Sequence, residues 1–275
     1  MVQIACGKWC AAVAEEWGGN LLALYYDGER ILRQPESVGQ MKAHPALYGI
    51  PLLLPANRVK NARFTFAGKK YDLPMNEPAR NNHVHGVLKE TRFQVIRETE
   101  ASVTTRIENR GEYYPFPFEM EIEDTLAESG LTRQLTLKNS GIGPMPYTLA
   151  FHAAFVEPEQ FSVPIGKYCD MDENYIPTGK LLPLTTQQQA YLTGLCPGGG
   201  AVSGCYTACG HTARIGAYFM TVSEQFDHWV LFNGGGGCGY LCIEPQCGAV
   251  DGLNNGKHRV LLPGEVEVFT VRIHK

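Results

Sequence analysis

The chain has 275 residues, of which 44% are apolar and 19% charged, and its formal net charge is −4. This composition is typical of a globular protein and excludes a largely disordered one. There is no basic run or stripe and no window near the ~20 consecutive apolar residues of a membrane span. Nucleic acid and membranes are therefore not expected as partners.

Short runs rich in Val, Ile, Thr, Tyr and Phe alternate with turn signals along the whole chain. A first hairpin is predicted over 20–32, turning at Asp27-Gly28, and a second over 63–73, turning at Ala67-Gly68. Further strands are predicted at 92–96, 102–107, 119–123, 131–138 and 265–273. The last three alternate apolar and polar residues, which is typical of a strand with one face in water.

Helical periodicity is almost absent from the sequence. The only candidates are short, at 45–48 and 223–227, and residues 181–210 are expected to form a long irregular connection. Neither an internal repeat nor a break in composition divides the chain. We therefore predict an all-β fold, a large antiparallel β-sandwich in a single domain spanning 1–275.

The nine cysteines are odd in number and scattered, and the N-terminal segment lacks the clean apolar core of a signal peptide. Reduced thiols and a cytoplasmic location are the simplest interpretation. Cys205, Cys209 and His211 could belong to a zinc site, but their spacing does not fit the usual paired motifs.

Two histidines, His83 and His85, end on Gly86. In a strand they would lie on one face, and with Glu90 they are similar to the metal site of cupin barrels, although the glycines that flank the cupin motif are missing. The alternative, that His83 is a hydrogen-bonded loop residue, stays open at this point.

Three further polar residues are each placed within or beside an apolar run. His152 lies in TLAFHAAF and Glu244 in YLCIEP, while Arg58 follows Asn57 in LLLPANRV. A histidine or carboxylate in a low-dielectric pocket can serve as an acid or base near neutral pH. The alternatives are a core histidine, and an ion pair between Glu244 and Arg58.

Several segments, taken in order, resemble the aldose 1-epimerase (galactose mutarotase) family over nearly the whole chain. The segments are GIPLLLPANRVKNARFTFAGKKYDL with HVHG, YYPFPFEMEIEDTLAESGLTRQLTLKNSGIGPMPYTLAFHAAF, NYIPTG, CIEPQCGAVDGLN and LLPGEVEVFTVRI. The resemblance implies the galactose mutarotase-like sandwich and interconversion of the α and β anomers of a free hexose without cofactor or metal.

The same resemblance implies a role for each candidate residue. Glu244 is expected to be the general base and His152 the general acid, facing each other across a gap as wide as a pyranose. Arg58, His85 and Asn57 are expected to bind the sugar. The expected partner is a monosaccharide, and the expected assembly is a monomer or homodimer.

Three departures from the family pattern bear on which sugar is bound more than on which reaction is catalysed. Ala153-Ala154 replaces the usual Pro-Tyr after the acid histidine, the segment Val202–Thr207 carries no aspartate, and no aromatic platform is identifiable. Two alternatives therefore stay open, a sugar-binding or sensing protein without catalysis and a mutarotase for a phosphorylated sugar. The second would need extra Lys or Arg near the site, and the sequence shows no convincing cluster.

Overall fold

The structure is a computed structural model that describes all residues, 1–275. Strands dominate it. In chain order they are β1 (Val2–Cys6), β2 (Trp9–Ala14), β3 (Asn20–Tyr26), β4 (Glu29–Arg30), β5 (Leu52–Leu53), β6 (Arg58–Lys60), β7 (Arg63–Phe66), β8 (Lys69–Asp72), β9 (Asn82–Val84), β10 (Gln94–Glu98), β11 (Ser102–Asn109), β12 (Phe118–Ala127), β13 (Gly130–Asn139), β14 (Met145–Tyr147), β15 (Leu149–Phe151), β16 (Ala154–Val156), β17 (Phe161–Ser162), β18 (Ile165–Met171), β19 (Pro177–Leu182), β20 (Ser203–Ala208), β21 (Thr212–Ile215), β22 (Tyr218–Val222), β23 (His228–Phe232), β24 (Tyr240–Cys247), β25 (Arg259–Leu261) and β26 (Val266–His274).

Helices are few and short. The α-helices are α1 (Val38–Ala43), α2 (Thr186–Thr193) and α3 (Gly252–Asn255), and single 3₁₀ turns occupy Glu15–Trp17, Pro45–Leu47, Pro78–Arg80 and Leu88–Glu90. None of these helices has the length and apolar character needed to cross a membrane.

Two large antiparallel sheets carry the fold. One has the order β10-β11-β12-β13-β26-β22-β21-β17, and the other, here called the cavity sheet, has the order β19-β18-β20-β23-β24-β15-β5 with β16 also paired to β24. A four-stranded sheet, β1 to β4, and three two-stranded ribbons, β14-β25, β6-β9 and β7-β8, complete the architecture. The predicted all-β class, an antiparallel sandwich, is confirmed.

One hydrophobic cluster contains side chains from both large sheets. Leu135 and Phe269 come from the first sheet, and Trp229, Leu231 and Ile243 come from the cavity sheet. Successive side chains on a strand point to opposite faces. The residues between these core positions on the cavity sheet therefore face away from the core, and that outer face carries the site.

Local turn chemistry placed both predicted hairpins correctly. β3 and β4 turn at Asp27-Gly28, and β7 and β8 turn at Ala67-Gly68, with all four turn residues at positive φ. The predicted strands at 92–96, 102–107, 119–123, 131–138 and 265–273 are also present, with bounds shifted or extended by a few residues.

The structure corrects two details of the sequence interpretation. Residues 181–210 are not one irregular connection, because they contain α2 and β20. Helix α2 begins with a capping box in which Thr185 and Gln188 each accept the other's backbone N–H, at 3.3 and 2.9 Å. In contrast, residues 223–227 form no helix; they are a turn that leads into β23.

Candidate active site

His152 and Glu244 lie opposite each other because two short strands share one register with β24. Ala150 of β15 pairs with Gln246, and Ala154 of β16 pairs with Cys242. The same register, continued through the break between β15 and β16, places His152 opposite Glu244. Their neighbours Phe151, Ala153 and Ile243 point into the core, so the imidazole and the carboxyl both point to the outer face.

The two side chains are in contact and almost fully buried. His152 Nε2 lies 3.2 Å from Glu244 Oε1, and the side chains are 4% and 3% exposed. Burial raises the pKa of Glu244 well above its ordinary value, and the positive charge of Arg58 opposes this shift only in part. Burial also lowers the pKa of His152 to about 4. Both shifts favour the uncharged forms, a carboxylic acid that donates a proton and an imidazole that accepts one.

This geometry corrects one spatial expectation from the sequence. A gap as wide as a pyranose does not separate the two groups, since they are within hydrogen-bonding distance of each other. Any ligand that contacts both side chains must therefore lie above the pair and approach them from the same side.

An open cavity of about 900 Å³ lies above the pair. Its size is in the range of pockets that take small molecules. The structure brings all five sequence-predicted residues into its lining, namely Asn57, Arg58, His85, His152 and Glu244.

Arg58 is fixed in the cavity wall by a carboxylate that the sequence interpretation did not single out. Its Nε and Nη2 donate to the two oxygens of Glu77, each at 2.8 Å, and its guanidinium lies 4.7 Å from the ring centre of Tyr175. The expected alternative, an ion pair between Arg58 and Glu244, is therefore not formed. A bidentate pair of this kind holds the guanidinium in one orientation.

The loop containing Asn57 and the HVHG segment are held against each other by backbone contacts. The N–H of His85 donates to the Asn57 carbonyl at 2.8 Å, and both residues adopt positive φ. A Cβ at Gly86 would lie 2.1 Å from the Leu54 carbonyl oxygen, so this close approach requires glycine.

His85 stands edge-on to His152, with ring centres 5.3 Å apart. Burial lowers the pKa of His85 well below its ordinary value, and the neighbouring His152 and Lys89 lower it further. Both imidazoles in the cavity are therefore biased toward their neutral form. His85 Nδ1, His152 Nδ1 and Asn57 Oδ1 are buried and receive no hydrogen bond from the protein. Buried polar atoms in native proteins are usually paired, and exceptions point to a functional role.

The cavity also contains functional candidates that sequence reasoning missed. Lys89 is 6% exposed, donates to the Gly86 carbonyl at 2.7 Å and pairs with Glu90 at 3.0 Å. Tyr168, Tyr175 and Phe232 supply the aromatic lining that could not be identified beforehand. Tyr175 belongs to the NYIPTG segment, whose resemblance to the family was the one available signal.

The two metal sites considered from the sequence are not formed by these side chains. His83 Nδ1 is 2.7 Å from the Pro74 carbonyl and Glu90 pairs with Lys89, so His83, His85 and Glu90 do not converge. Cys209 donates to the Ile165 carbonyl at 3.2 Å, and Cys205 packs elsewhere.

The one compact group of potential metal ligands includes both His152 and Glu244. Ligand atoms of His152, Cys242 and Glu244 all lie within 4.8 Å of one another. These three side chains could hold a soft or borderline metal ion. The expectation that the protein works without one stays a prediction.

Two of the departures from the family pattern can now be located. Ala153 packs into the core and Ala154 packs with Tyr240 and Cys242, so neither side chain lines the cavity. Ser203 and Gly204 do line it, in the segment where the family aspartate was expected.

Fold and site together define a class, a β-sandwich protein with a buried histidine–carboxyl pair at the base of an open cavity. Comparison with known proteins specifies the family. The family model described as Aldose 1-epimerase matches residues 1–274. The chain belongs to the aldose 1-epimerase family.

Individual relatives are distant. "Uncharacterized protein YihR" of Escherichia coli K12 is 27% identical over 185 residues, covering 64% of this chain and 59% of that protein. The galactose mutarotase of Mus musculus is 26% identical over 189 residues, covering 61% of this chain and 53% of that protein. The chain thus matches only a little over half the length of these relatives.

Solved structures extend the likeness in fold over the whole chain. A galactose mutarotase-like protein from Clostridium acetobutylicum superposes with a TM-score of 0.92 at 23% identity, covering 99% of this chain and 94% of that one. A galactose 1-epimerase from Lactobacillus acidophilus gives 0.80 at 17% identity, covering 97% and 91%. At these identities the comparison establishes the fold alone.

Proposed function

We propose that this protein is an aldose 1-epimerase that interconverts the α and β anomers of a free hexose. The observation that carries the proposal is the buried contact between His152 and Glu244 at the base of the cavity. One group can donate a proton while the other accepts one, and the reaction needs both steps.

Mutarotation opens the ring by removing the proton from the hydroxyl on C1 and protonating the ring oxygen. These two oxygens are bonded to the same carbon, so a donor and an acceptor that are themselves in contact can reach both. In ring opening the protonated Glu244 donates to the ring oxygen and the neutral imidazole of His152 accepts the proton of the C1 hydroxyl. When the ring closes on the other face, Glu244 is the carboxylate that acts as the base and His152 is the acid. Positioned acid–base groups typically contribute about 10²–10⁴-fold each.

The remaining residues position the sugar and stabilise charge. Arg58, oriented by Glu77, presents a cation at the wall of the cavity, and His85 stands beside His152. Such groups stabilise the oxygen that gains negative charge during ring opening. Holding the hexose in place over the pair adds the advantage of proximity.

The direct test follows the anomers of freshly dissolved α-glucose and α-galactose by polarimetry or NMR with purified protein. We expect equilibration much faster than in buffer for at least one aldose. Equilibration at the buffer rate across several aldoses would remove the catalytic assignment. Sugar binding without turnover, measured by calorimetry on the same samples, would support a non-catalytic sugar-binding protein instead.

A second candidate substrate is an aldose that carries an anionic group, such as a phosphate. The structure brings Lys42 and Arg80 into the cavity lining together with Arg58 and Lys89. This cluster could not be recognised from the sequence. Arg80 is only loosely paired, at 3.3 Å from Glu77, and Lys42 makes no ion pair. Comparing kcat/KM for glucose and glucose 6-phosphate at low and high salt separates the candidates, since a charge-selective site loses its preference as salt rises.

A further inference from the structure

Four residues form one row across four neighbouring strands of the cavity sheet. Tyr168 of β18 pairs with Tyr206 of β20, and the next step of that register sets Cys169 opposite Cys205. Cys205 pairs with Val230 of β23, and Val230 pairs with Glu244 of β24. Adjacent strands are about 4.8 Å apart, so Cys205 lies roughly 10 Å from Glu244.

The two cysteines are buried in the same small cluster. The cluster also contains Val250, and the cysteines are 7% and 4% exposed. Residues directly opposite on antiparallel strands have Cα atoms about 4.5–5.5 Å apart. That spacing is within the range of about 4.4–6.8 Å that a disulfide requires.

A charged pair stands next to the thiols. His228 Nδ1 lies 2.7 Å from Asp227 Oδ1, which orients the imidazole. Burial alone would lower the pKa of His228, but the hydrogen bond with Asp227 and the contact with Cys169 outweigh burial and raise it to about 9. The neighbouring Cys205 thiol, together with His228, lowers the pKa of the Cys169 thiol below its ordinary value against the effect of burial.

Access to this group is through the sugar cavity. Cys205 is one of the residues that line the cavity, whereas Cys169 lies behind it in the row. A small oxidant in the cavity therefore meets Cys205 and lies about one strand spacing from Cys169, and a ligand that fills the cavity would cover Cys205.

We propose that Cys169 and Cys205 form a reactive dithiol that hydrogen peroxide, or another two-electron oxidant of that class, converts to a disulfide. The Cys169 thiolate attacks one peroxide oxygen and the O–O bond breaks, leaving a sulfenic acid on Cys169 and hydroxide, which takes a proton to become water. The Cys205 sulfur then attacks the Cys169 sulfur, and its S–H proton leaves with the sulfenic oxygen as a second water. In sum, two thiols lose two electrons and one peroxide becomes two waters.

The neighbourhood of Cys169 explains why this pair should react in preference to the other cysteines. Cys10, Cys196 and Cys238 are more exposed, so exposure alone would make them react first. Cys169 differs in having Cys205 and His228 beside it, which favour its thiolate, the form that reacts with peroxide.

The test treats the full-length protein with hydrogen peroxide at neutral pH and maps disulfides by mass spectrometry of peptides. We expect a Cys169–Cys205 bond, formed at least about tenfold faster than oxidation of Cys238 and reversed by dithiothreitol. Cys169→Ser and Cys205→Ser must each abolish it, while Cys238→Ser must leave it unchanged. Peroxide that oxidises the exposed cysteines and leaves Cys169 and Cys205 as thiols would overturn the proposal.

A second measurement links the dithiol to the sugar cavity, and this part rests on the proposed function. Saturating glucose or galactose should slow disulfide formation at least about threefold by covering Cys205. If the disulfide forms at the same rate with and without each aldose tested, sugar binding in this cavity is contradicted. The proposal of a reactive dithiol is still supported in that case, because the disulfide forms.

Discussion

His152 and Glu244, nearly a hundred positions apart in the chain, are cross-strand neighbours on the cavity sheet with Nε2 and Oε1 3.2 Å apart. β15 and β16 each pair with β24 in the same register, and the break between them falls where His152 faces the cavity. The pair is thus held by backbone pairing on both sides, which preorganises a donor and an acceptor without a flexible loop.

Removing either member of the pair should reduce turnover strongly while leaving the fold intact. We expect Glu244→Gln and His152→Asn each to lower the rate of anomer interconversion by at least ~10²-fold, because each removes one of the two proton transfers. Rates come from NMR of freshly dissolved α-sugar, and circular dichroism checks the fold. Glu98→Gln, an exposed strand carboxylate, is the matched control. Near-full activity in either site variant would take that residue out of its assigned role.

The pH dependence of activity should reflect the shifted histidine. Because burial lowers the pKa of His152 to about 4, its neutral form persists well below the ordinary histidine range. We expect kcat/KM to stay level as pH falls through 6.5 and to decline only near pH 4. The profile is measured by polarimetry with the buffer rate subtracted at each pH. A decline centred near pH 6.5 would indicate that His152 is solvated and not buried in the working enzyme.

Arg58 should affect sugar binding more than the chemical step. Lysine cannot reproduce the two hydrogen bonds to Glu77 or the flat contact with Tyr175. We expect Arg58→Lys to raise KM by about tenfold, with a smaller change in kcat. Arg80→Lys is the control, since Arg80 also contacts Glu77 and Tyr175 but through a single donor at 3.3 Å. An equal effect from both variants would argue against a specific role for Arg58.

A buried ion pair in the first large sheet should matter for stability alone. Arg133 and Asp124 are both fully buried, with Nη1 and Oδ2 2.7 Å apart, and Arg133 also donates to the Gly19 carbonyl at 2.7 Å. Arg133→Leu leaves a buried carboxyl without its partner, so we expect the free energy of unfolding to fall by about 3–5 kcal/mol. Urea denaturation measures it. Arg97→Leu, which breaks the exposed pair with Glu123, should cost less than about 1 kcal/mol.

The pair formed by Asp227 and His228 should make the free energy of unfolding depend on pH above pH 6.5. The pKa of His228 is raised to about 9 in the folded protein, so between pH 6.5 and 9 the folded state binds a proton that the unfolded state has lost. This contribution is complete below pH 6.5 and disappears as pH rises through 9. Asp227→Asn should therefore reduce the free energy of unfolding at pH 6 and much less at pH 10. A pH-independent effect would show that His228 is not held as a cation.

The strands, the hairpins and the direction of some side chains could be predicted from the sequence alone, because they depend on residues that are neighbours in the chain. Alternation of apolar and polar residues identified the strands of the first large sheet, and glycine after Asp27 and Ala67 identified the hairpins. A polar residue between core-facing neighbours on a strand must point away from the core, so His152 and Glu244 could be singled out. The single-domain, monomer-or-homodimer and cytoplasmic expectations stay predictions.

Only the tertiary structure decided which distant residues meet. The contact between His152 and Glu244 and the apposition of Cys169 and Cys205 both follow from the register of long-range strand pairs. Register is set by the combined packing of whole sheets, and a shift by one residue would turn each of these side chains to the opposite face. Local sequence patterns indicate which face of a strand each side chain points to, but they do not indicate which distant residue that side chain contacts.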